Sequence, residues 1–255
     1  MRQFLKKCGV VAVALTALTA TATALGLTDS SEPRIASLEE NDLKEFDSIN
    51  VASGRGCVTS EPRGGYSGPK YATAATLSGL SNKYARGQFD VNWQGGSDNW
   101  YGMAVYLPCD FYEKQQGDVD ILRWDNYSLA QRSQDQSGVT IRYDGKLAML
   151  FKNLDTGEYT NLITPASRLA VGKWHWIEAR QKLGGDGAAV NELRVNGRSV
   201  GSSTTHNYRG RPATMLRFGL VAESSSKQTN PLTLYFDRAS ASPSELGPVV
   251  PGATP

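Results

Sequence analysis

His206, Asn207, Tyr208 and Arg209 stand in a row. Within one short loop they offer a candidate general base in His206 or Tyr208, a candidate acid, and a guanidinium to bind an anion. They lie in a basic stretch: from Leu193 to Ala222 the chain carries Arg194, Arg198, Arg209, Arg211 and Arg217 and no carboxylate. A second group is Arg123-Trp124-Asp125-Asn126, where a guanidinium and an amide flank an aromatic ring and a carboxylate, a set able to hold a carboxylated ligand. Asp118 and Asp120 form a third group, either exposed carboxylates at a strand entry or part of a Ca²⁺ site. The other histidine, His175, sits between Trp174 and Trp176 and reads as a structural residue of a strand.

These groups fall on short strands. Val139-Thr140-Ile141-Arg142-Tyr143 and Leu147-Ala148-Met149-Leu150-Phe151 flank Asp144-Gly145, a dipeptide that tolerates the positive φ angles of a type I′ turn and so predicts a hairpin carrying Arg142 and Tyr143. Leu193-Arg194-Val195, Asn196-Gly197 and Arg198-Ser199-Val200 predict a second. In Leu232-Thr233-Leu234-Tyr235-Phe236 the period of two sends the aliphatic residues inward and leaves Tyr235 on the opposite face. No long amphipathic helix shows between residues 51 and 242. That span is expected to form one antiparallel all-β domain of two packed sheets. Residues 25–50 hold seven acidic and two basic side chains and form a lead-in, with capping-box spacing at Ser37-Leu38-Glu39-Glu40 that hints at a short helix. From Pro243 the chain repeats Pro and Gly without apolar periodicity, which predicts a disordered tail.

The N-terminus has the three parts of a secretory leader: Arg2, Lys6 and Lys7, an apolar run over 9–18, and Ala22-Thr23-Ala24 as a small-residue cleavage site. Residues 1–24 are therefore expected to be removed on export to the periplasm or outside the cell. In that setting Cys57 and Cys109 are expected to pair, a bond that contributes about 4 kcal/mol in the chain-entropy model. Residues 51–242 hold 22 basic and 17 acidic side chains, a mild excess suited to an acidic partner. So modest a charge on an exported domain argues against nucleic acid. No stretch after the leader is long enough to span a membrane, and neither a phosphate loop nor a Cys-x-x-Cys pair nor a nucleophile elbow is present. A monomer without a cofactor is expected, Ca²⁺ aside.

Four phrases, Trp100 to Pro108, Gly172-Lys173-Trp174-His175, Val195-Asn196-Gly197 and Leu216-Arg217-Phe218-Gly219-Leu220, taken in order, resemble the concanavalin A-like jelly rolls of heparin-lyase and alginate-lyase type. The likeness covers roughly residues 50–240. It implies a jelly-roll sandwich of two antiparallel sheets, one with a concave glycan groove, and β-elimination on an acidic polysaccharide. The roles it implies are Arg123 and Asn126 on the uronate carboxyl, His206 or Tyr208 as base, and Tyr235 or Tyr143 as acid. Arg142, Arg209, Arg217 and Trp124 would bind the anionic chain, and in a lectin-like reading Trp93, Trp100, Trp124 and Tyr127 would stack on sugar rings. Asp125 stands where this group carries a histidine. Two other readings remain open. Gly117 to Arg123 resembles the catalytic strand of jelly-roll β-glucanases, which would make the chain a glycoside hydrolase, and a lectin-like module would bind glycan without cleaving it.

Overall fold

The computed structural model describes residues 34–36, 48–51, 56–61, 66, 72–77, 84–89, 98–127, 134–153, 156–164, 168–207, 215–222, 228 and 230–247. In chain order the strands are β1 (Arg34–Ala36), β2 (Ser48–Val51), β3 (Gly56–Glu61), β4 (Ala72–Leu77), β5 (Tyr84–Phe89) and β6 (Asp98–Tyr106). One turn of helix, α1 (Phe111–Lys114), precedes β7 (Val119–Tyr127), β8 (Gln134–Ile141), β9 (Leu147–Asn153), β10 (Tyr159–Ile163) and β11 (Trp174–Lys182). The last four are β12 (Val190–Val195), β13 (Arg198–Ser203), β14 (Met215–Ala222) and β15 (Leu232–Ser242).

They form two antiparallel sheets. The eight-stranded sheet runs β13-β12-β11-β6-β15-β4-β3, with β1 also on β15, and the seven-stranded sheet runs β10-β9-β8-β7-β14-β5-β2. This is the expected sandwich. Two strands, β1 and β2, come from the acidic lead-in, while its Ser37–Glu40 helix signal lies outside the described residues. Alternation decides which side of each strand is buried: in β9, Leu147, Met149 and Phe151 enter the core while Leu150 and Lys152 stay half-buried on the other side. The central contact between the sheets is Tyr101 of β6 stacked on Trp124 of β7, ring centroids 4.3 Å apart and 16° from parallel.

Both expected hairpins form, by different turns. Asn196 and Gly197 have φ of 52° and 76°, as a type I′ turn requires at both central residues. At the other hairpin only Gly145 has a positive φ, 81°. Arg142 N donates to Lys146 O at 2.8 Å and Gly145 N to Arg142 O at 2.7 Å, so three residues close the loop. The turn is a type I turn with a glycine bulge, not type I′.

The expected Cys57–Cys109 disulfide is absent: Cys109 is a free, exposed thiol. Sheet register gives the reason. Cys57 faces Thr76, Thr76 faces Thr233, and Tyr235 faces Tyr106, so continuing the register sets Thr233 level with Pro108, the neighbour of Cys109. Three inter-strand steps amount to about 14 Å, whereas a disulfide needs Cα atoms about 4.4–6.8 Å apart.

Of the Pro/Gly segment from Pro243, residues 243–247 are described, and they are held against the eight-stranded sheet. Glu178, fully buried on the outer side of β11, accepts the backbone N–H of Leu246 at 2.9 Å and of Gly247 at 3.2 Å, and Arg194 pairs with Glu245. Gly102 makes room for this strap, because a Cβ there would lie 2.6 Å from the Trp176 ring and 3.0 Å from Leu246 Cδ1. Burial pushes the Glu178 carboxyl above the usual glutamate range, against the pull of the two N–H groups and Arg194. With the folded value raised, the unfolded chain gives up this proton first as pH rises. Stability therefore falls between the ordinary and the raised value and stays lower above it. Glu178→Gln keeps the acceptor oxygen and removes the ionisation. It is expected to melt above the wild type at neutral pH, with the gap closing on acidification below the ordinary glutamate range. Equal melting temperatures at neutral pH in a thermal series would contradict this account.

Candidate functional site on the outer face of the seven-stranded sheet

Arg123 of β7 and Arg217 of β14 are 94 residues apart in the chain and direct partners in the sheet. Both flank inward-facing residues, Leu122 and Trp124 in one strand and Leu216 and Phe218 in the other, so alternation turns both guanidiniums to the outer face. Two like charges directly opposite repel. Asp125, 1% exposed, lies between them on the same face. Its Oδ1 accepts Arg123 Nε at 3.1 Å and its Oδ2 accepts Arg217 Nη1. Arg123 Nη1 also approaches Asp120 Oδ2 at 3.7 Å, and Asp120 Oδ1 accepts the Thr140 hydroxyl at 2.5 Å. The result is one connected polar chain of Thr140, Asp120, Arg123, Asp125 and Arg217.

A small cavity of about 20 Å³ opens beside this chain, lined among others by Asp120, Arg123, Gln136, Thr140, Lys152 and Tyr159. That is room for one water-sized group, so a polymer would lie across the face and not within the cavity. Gly138 forms part of the floor. It pairs with Arg123 on one side and Leu150 on the other, and a Cβ on it would come 2.7 Å from the backbone oxygen of Leu122. The glycine lets β7 and β8 approach closely beside the irregular pairing between Asp120 and Leu122. Lys152 pairs with Gln136, Gln136 with Asp125, and Tyr159 with Lys152. The Lys152 ammonium sits 4.5 Å from the centre of the Tyr159 ring, which is 47% exposed. Arg142 reaches over from the end of β8, its Nη2 donating to Asn161 Oδ1 at 2.8 Å. Lys152 and Arg142 thus bring two positive charges to a face where Arg123, Arg217, Asp120 and Asp125 cancel.

The structure pairs Arg123 with Arg217, sets Arg142 at the end of β8 on Asn161, and separates most other expected site residues from them. Trp124 points into the core, where its Nε1 donates to Gln181 Oε1 at 2.7 Å, so it is not a sugar platform. Tyr235 lies in the opposite sheet, across from Tyr106 with ring centroids 6.0 Å apart. Trp100 is in that sheet too, with the guanidiniums of Arg180 and Arg194 over its ring at 5.4 and 4.6 Å. His206 meets the edge of Phe151 at 6.4 Å. Phe151 belongs to the core side of β9, so this histidine stands at the seam between the sheets, its N–H on Asp186 at 2.8 Å. Tyr143 sits at the hairpin tip, 64% exposed, its N–H on Asp118 Oδ1 at 2.8 Å. The basic stretch splits, with Arg194 and Arg198 in the eight-stranded sheet and Arg217 in the other. Tyr208, Arg209 and Trp93 lie outside the described residues, as do the side chains of Asn126 and Tyr127.

In the glucanase-like pattern Arg123 occupies the place of the proton donor; Asp118 accepts the Tyr143 N–H, and Asp120 accepts the Thr140 hydroxyl and lies beside Arg123. Among the described residues no group of three or more His, Cys, Asp or Glu side chains converges as a metal site. His175 is structural, as expected: its Nε2–H donates to Ala170 O at 2.8 Å, Nδ1 accepts from Asn196 at 3.4 Å, and burial pushes its pKa down. Lys152 and Tyr159 line the cavity on this face and are not among the residues the sequence singles out.

Comparison with known proteins agrees with this architecture. A structure of endo-β-1,4-glucuronan lyase from the fungus Trichoderma reesei superposes with a TM-score of 0.64 at 16% identity, over 88% of this chain and 99% of that one. A PL-14 alginate lyase from Aplysia kurodai gives 0.56 at 10% identity, over 84% and 99%. The receptor-binding domain of botulinum neurotoxin D gives 0.53 at 12%, over 86% of this chain and 50% of that one. At such identities these likenesses establish the fold alone. No curated protein sequence matches. The profile of the family described as polysaccharide lyase matches residues 39–240, and the chain, a two-sheet sandwich, belongs to the polysaccharide lyase family.

Proposed function

We propose that this protein cleaves an acidic polysaccharide by β-elimination on the outer face of the seven-stranded sheet, after export from the cytoplasm. The observation that carries the reading is the Arg123–Asp125–Arg217 cluster on the outer side of the seven-stranded sheet in a member of this family. Elimination at a uronate removes the C5 proton, forms the C4–C5 double bond and expels the O4 oxygen, which takes up a proton. The C5 proton becomes acidic enough only if the carboxyl group is neutralised as charge moves onto it, which is the work of Arg123 and Arg217. Base and acid must lie within reach of the same sugar. Of the groups on this face, Tyr159 and Lys152 suit proton transfer, the phenol half-exposed beside the ammonium. Two relatives in fold carry glucuronan and alginate in their names, and both polymers present one carboxylate per sugar.

Incubation of the purified protein with glucuronan, alginate and heparin-type glycan, while following ultraviolet absorbance of the unsaturated product, tests the reading. New absorbance is the expected outcome on at least one uronate polymer. Reducing ends without absorbance would mean hydrolysis, and retention on a glycan column with neither would mean a lectin. Tyr159→Phe is expected to lower the elimination rate about 100-fold while the ring and its contact with Lys152 stay, with circular dichroism to verify that the variant is folded. A Tyr159→Phe rate within a few-fold of wild type would remove this phenol from proton transfer.

A further inference from the structure

We propose that Asp125 is a positioning residue: a buried carboxylate that locks Arg123 and Arg217 into one rigid fork and tempers its charge, so that the fork binds the charge developing in elimination better than the resting substrate. This rests on the lyase reading above and assigns a role to a residue that touches no sugar. The geometry separates this role from that of an ordinary salt bridge. One carboxylate serves two guanidiniums at once, one oxygen to each, with Arg123 held through Nε and Arg217 through Nη1. Asp125 is 1% exposed while Arg123 and Arg217 keep 11% and 14% of their side chains exposed, so the carboxylate is closed off from solvent and each arginine retains a narrow access to it. Asp120 fixes Arg123 from a second side and is itself fixed by Thr140, so Arg123 is constrained by two carboxylates and Arg217 is tied to it through Asp125.

The energetic consequence follows from differential binding. An untempered pair of guanidiniums would bind every uronate carboxylate of the polymer tightly in the ground state, which lowers KM without raising kcat. A neutralised, immobile pair gains most when the sugar's carboxyl group takes on added charge, because its donors need no reorganisation at that moment. Removing the Asp125 charge is therefore expected to move KM and kcat in the same downward direction, a pattern that general loss of structure does not produce.

The test measures kcat and KM on a uronate polymer for the wild type, Asp125→Asn and Asp125→Glu, with circular dichroism to verify folding. Asp125→Asn can accept from one arginine but turns an N–H₂ toward the other, and kcat is expected to fall about 100-fold with KM equal or lower. Asp125→Glu keeps the charge but displaces both guanidiniums by the length of a methylene. It is expected to lose about tenfold in kcat at unchanged KM, and it carries the test if Asp125→Asn does not fold. A folded variant whose kcat stays within threefold of wild type, or whose loss appears as a raised KM at unchanged kcat, overturns the assignment. Unsaturated product from the wild type keeps the lyase reading standing whatever the variants do; its absence overturns both.

Discussion

Arg217→Ala is expected to lower kcat/KM on a uronate polymer about 1000-fold, the upper end of what removal of one preorganised donor to a developing anion costs. Two terms combine. The guanidinium itself leaves the face, and Asp125, which Arg217 shared with Arg123, pulls on Arg123 alone and swings it from its place. The fold should survive, because Arg217 lies on the outer side of β14 and the inward residues Leu216 and Phe218 are untouched. A buried carboxylate that has lost one of two partners costs about 1–3 kcal/mol, or a drop of several degrees in melting temperature for a domain of this size. Arg217→Lys restores the charge but not the planar fork, so it should recover only a minor part of the rate. Initial rates of unsaturated-product formation, set beside thermal melts, separate catalytic from structural loss. Should Arg217→Ala stay within tenfold of wild type, the paired arginines are not the carboxylate-neutralising group.

Local chemistry was partly legible in the sequence: both hairpins form where Asp144-Gly145 and Asn196-Gly197 place them, though the first closes by a glycine bulge and not by the type I′ turn its dipeptide predicts. Asn196-Gly197 became the type I′ turn it predicts, and alternation assigned the two faces of the last strand correctly. The same alternation, carried one step past Phe151, would have put Lys152 on the outer face beside Leu150. What the sequence concealed is pairing between distant strands. Arg123 and Arg217 meet only because β14 enters the sheet beside β7, and Lys152 meets Tyr159 only through the β9–β10 register. The run of five arginines looked like one surface along the chain. It divides because β12 and β13 join one sheet and β14 the other. Likewise His206, three residues beyond β13, reaches the seam at Phe151 and not the face that carries Arg123. The disulfide failed for the same reason: cysteine count and compartment do not report how many strands lie between two thiols.

Trp124 shows how a one-residue step inverts a functional reading. Beside Arg123 and Asp125 in sequence it looks like a stacking platform for sugar, yet the period of two sends it to the opposite side of β7. There it is 2% exposed, lies face to face with Tyr101, and donates its indole N–H to Gln181, whose Nε2 in turn donates to the Ser137 hydroxyl at 2.9 Å. Trp124→Ala would empty the middle of the sandwich. Large-to-small changes of this kind cost about 3–5 kcal/mol, and the Gln181 carbonyl left without its donor adds about 1–3 kcal/mol. At about 2–4 °C per kcal/mol for a domain of this size, the melting temperature should fall by about 10 °C or more. Trp124→Phe keeps an aromatic ring against Tyr101 and gives up mainly the hydrogen bond, so its loss should be the smaller. A platform residue would behave in the opposite way, with unchanged melting and weakened retention on glycan. If Trp124→Ala melts with the wild type and loses only affinity, the ring faces the groove and β7 is shifted by one residue against its neighbours, which would turn Arg123 and Asp125 inward as well.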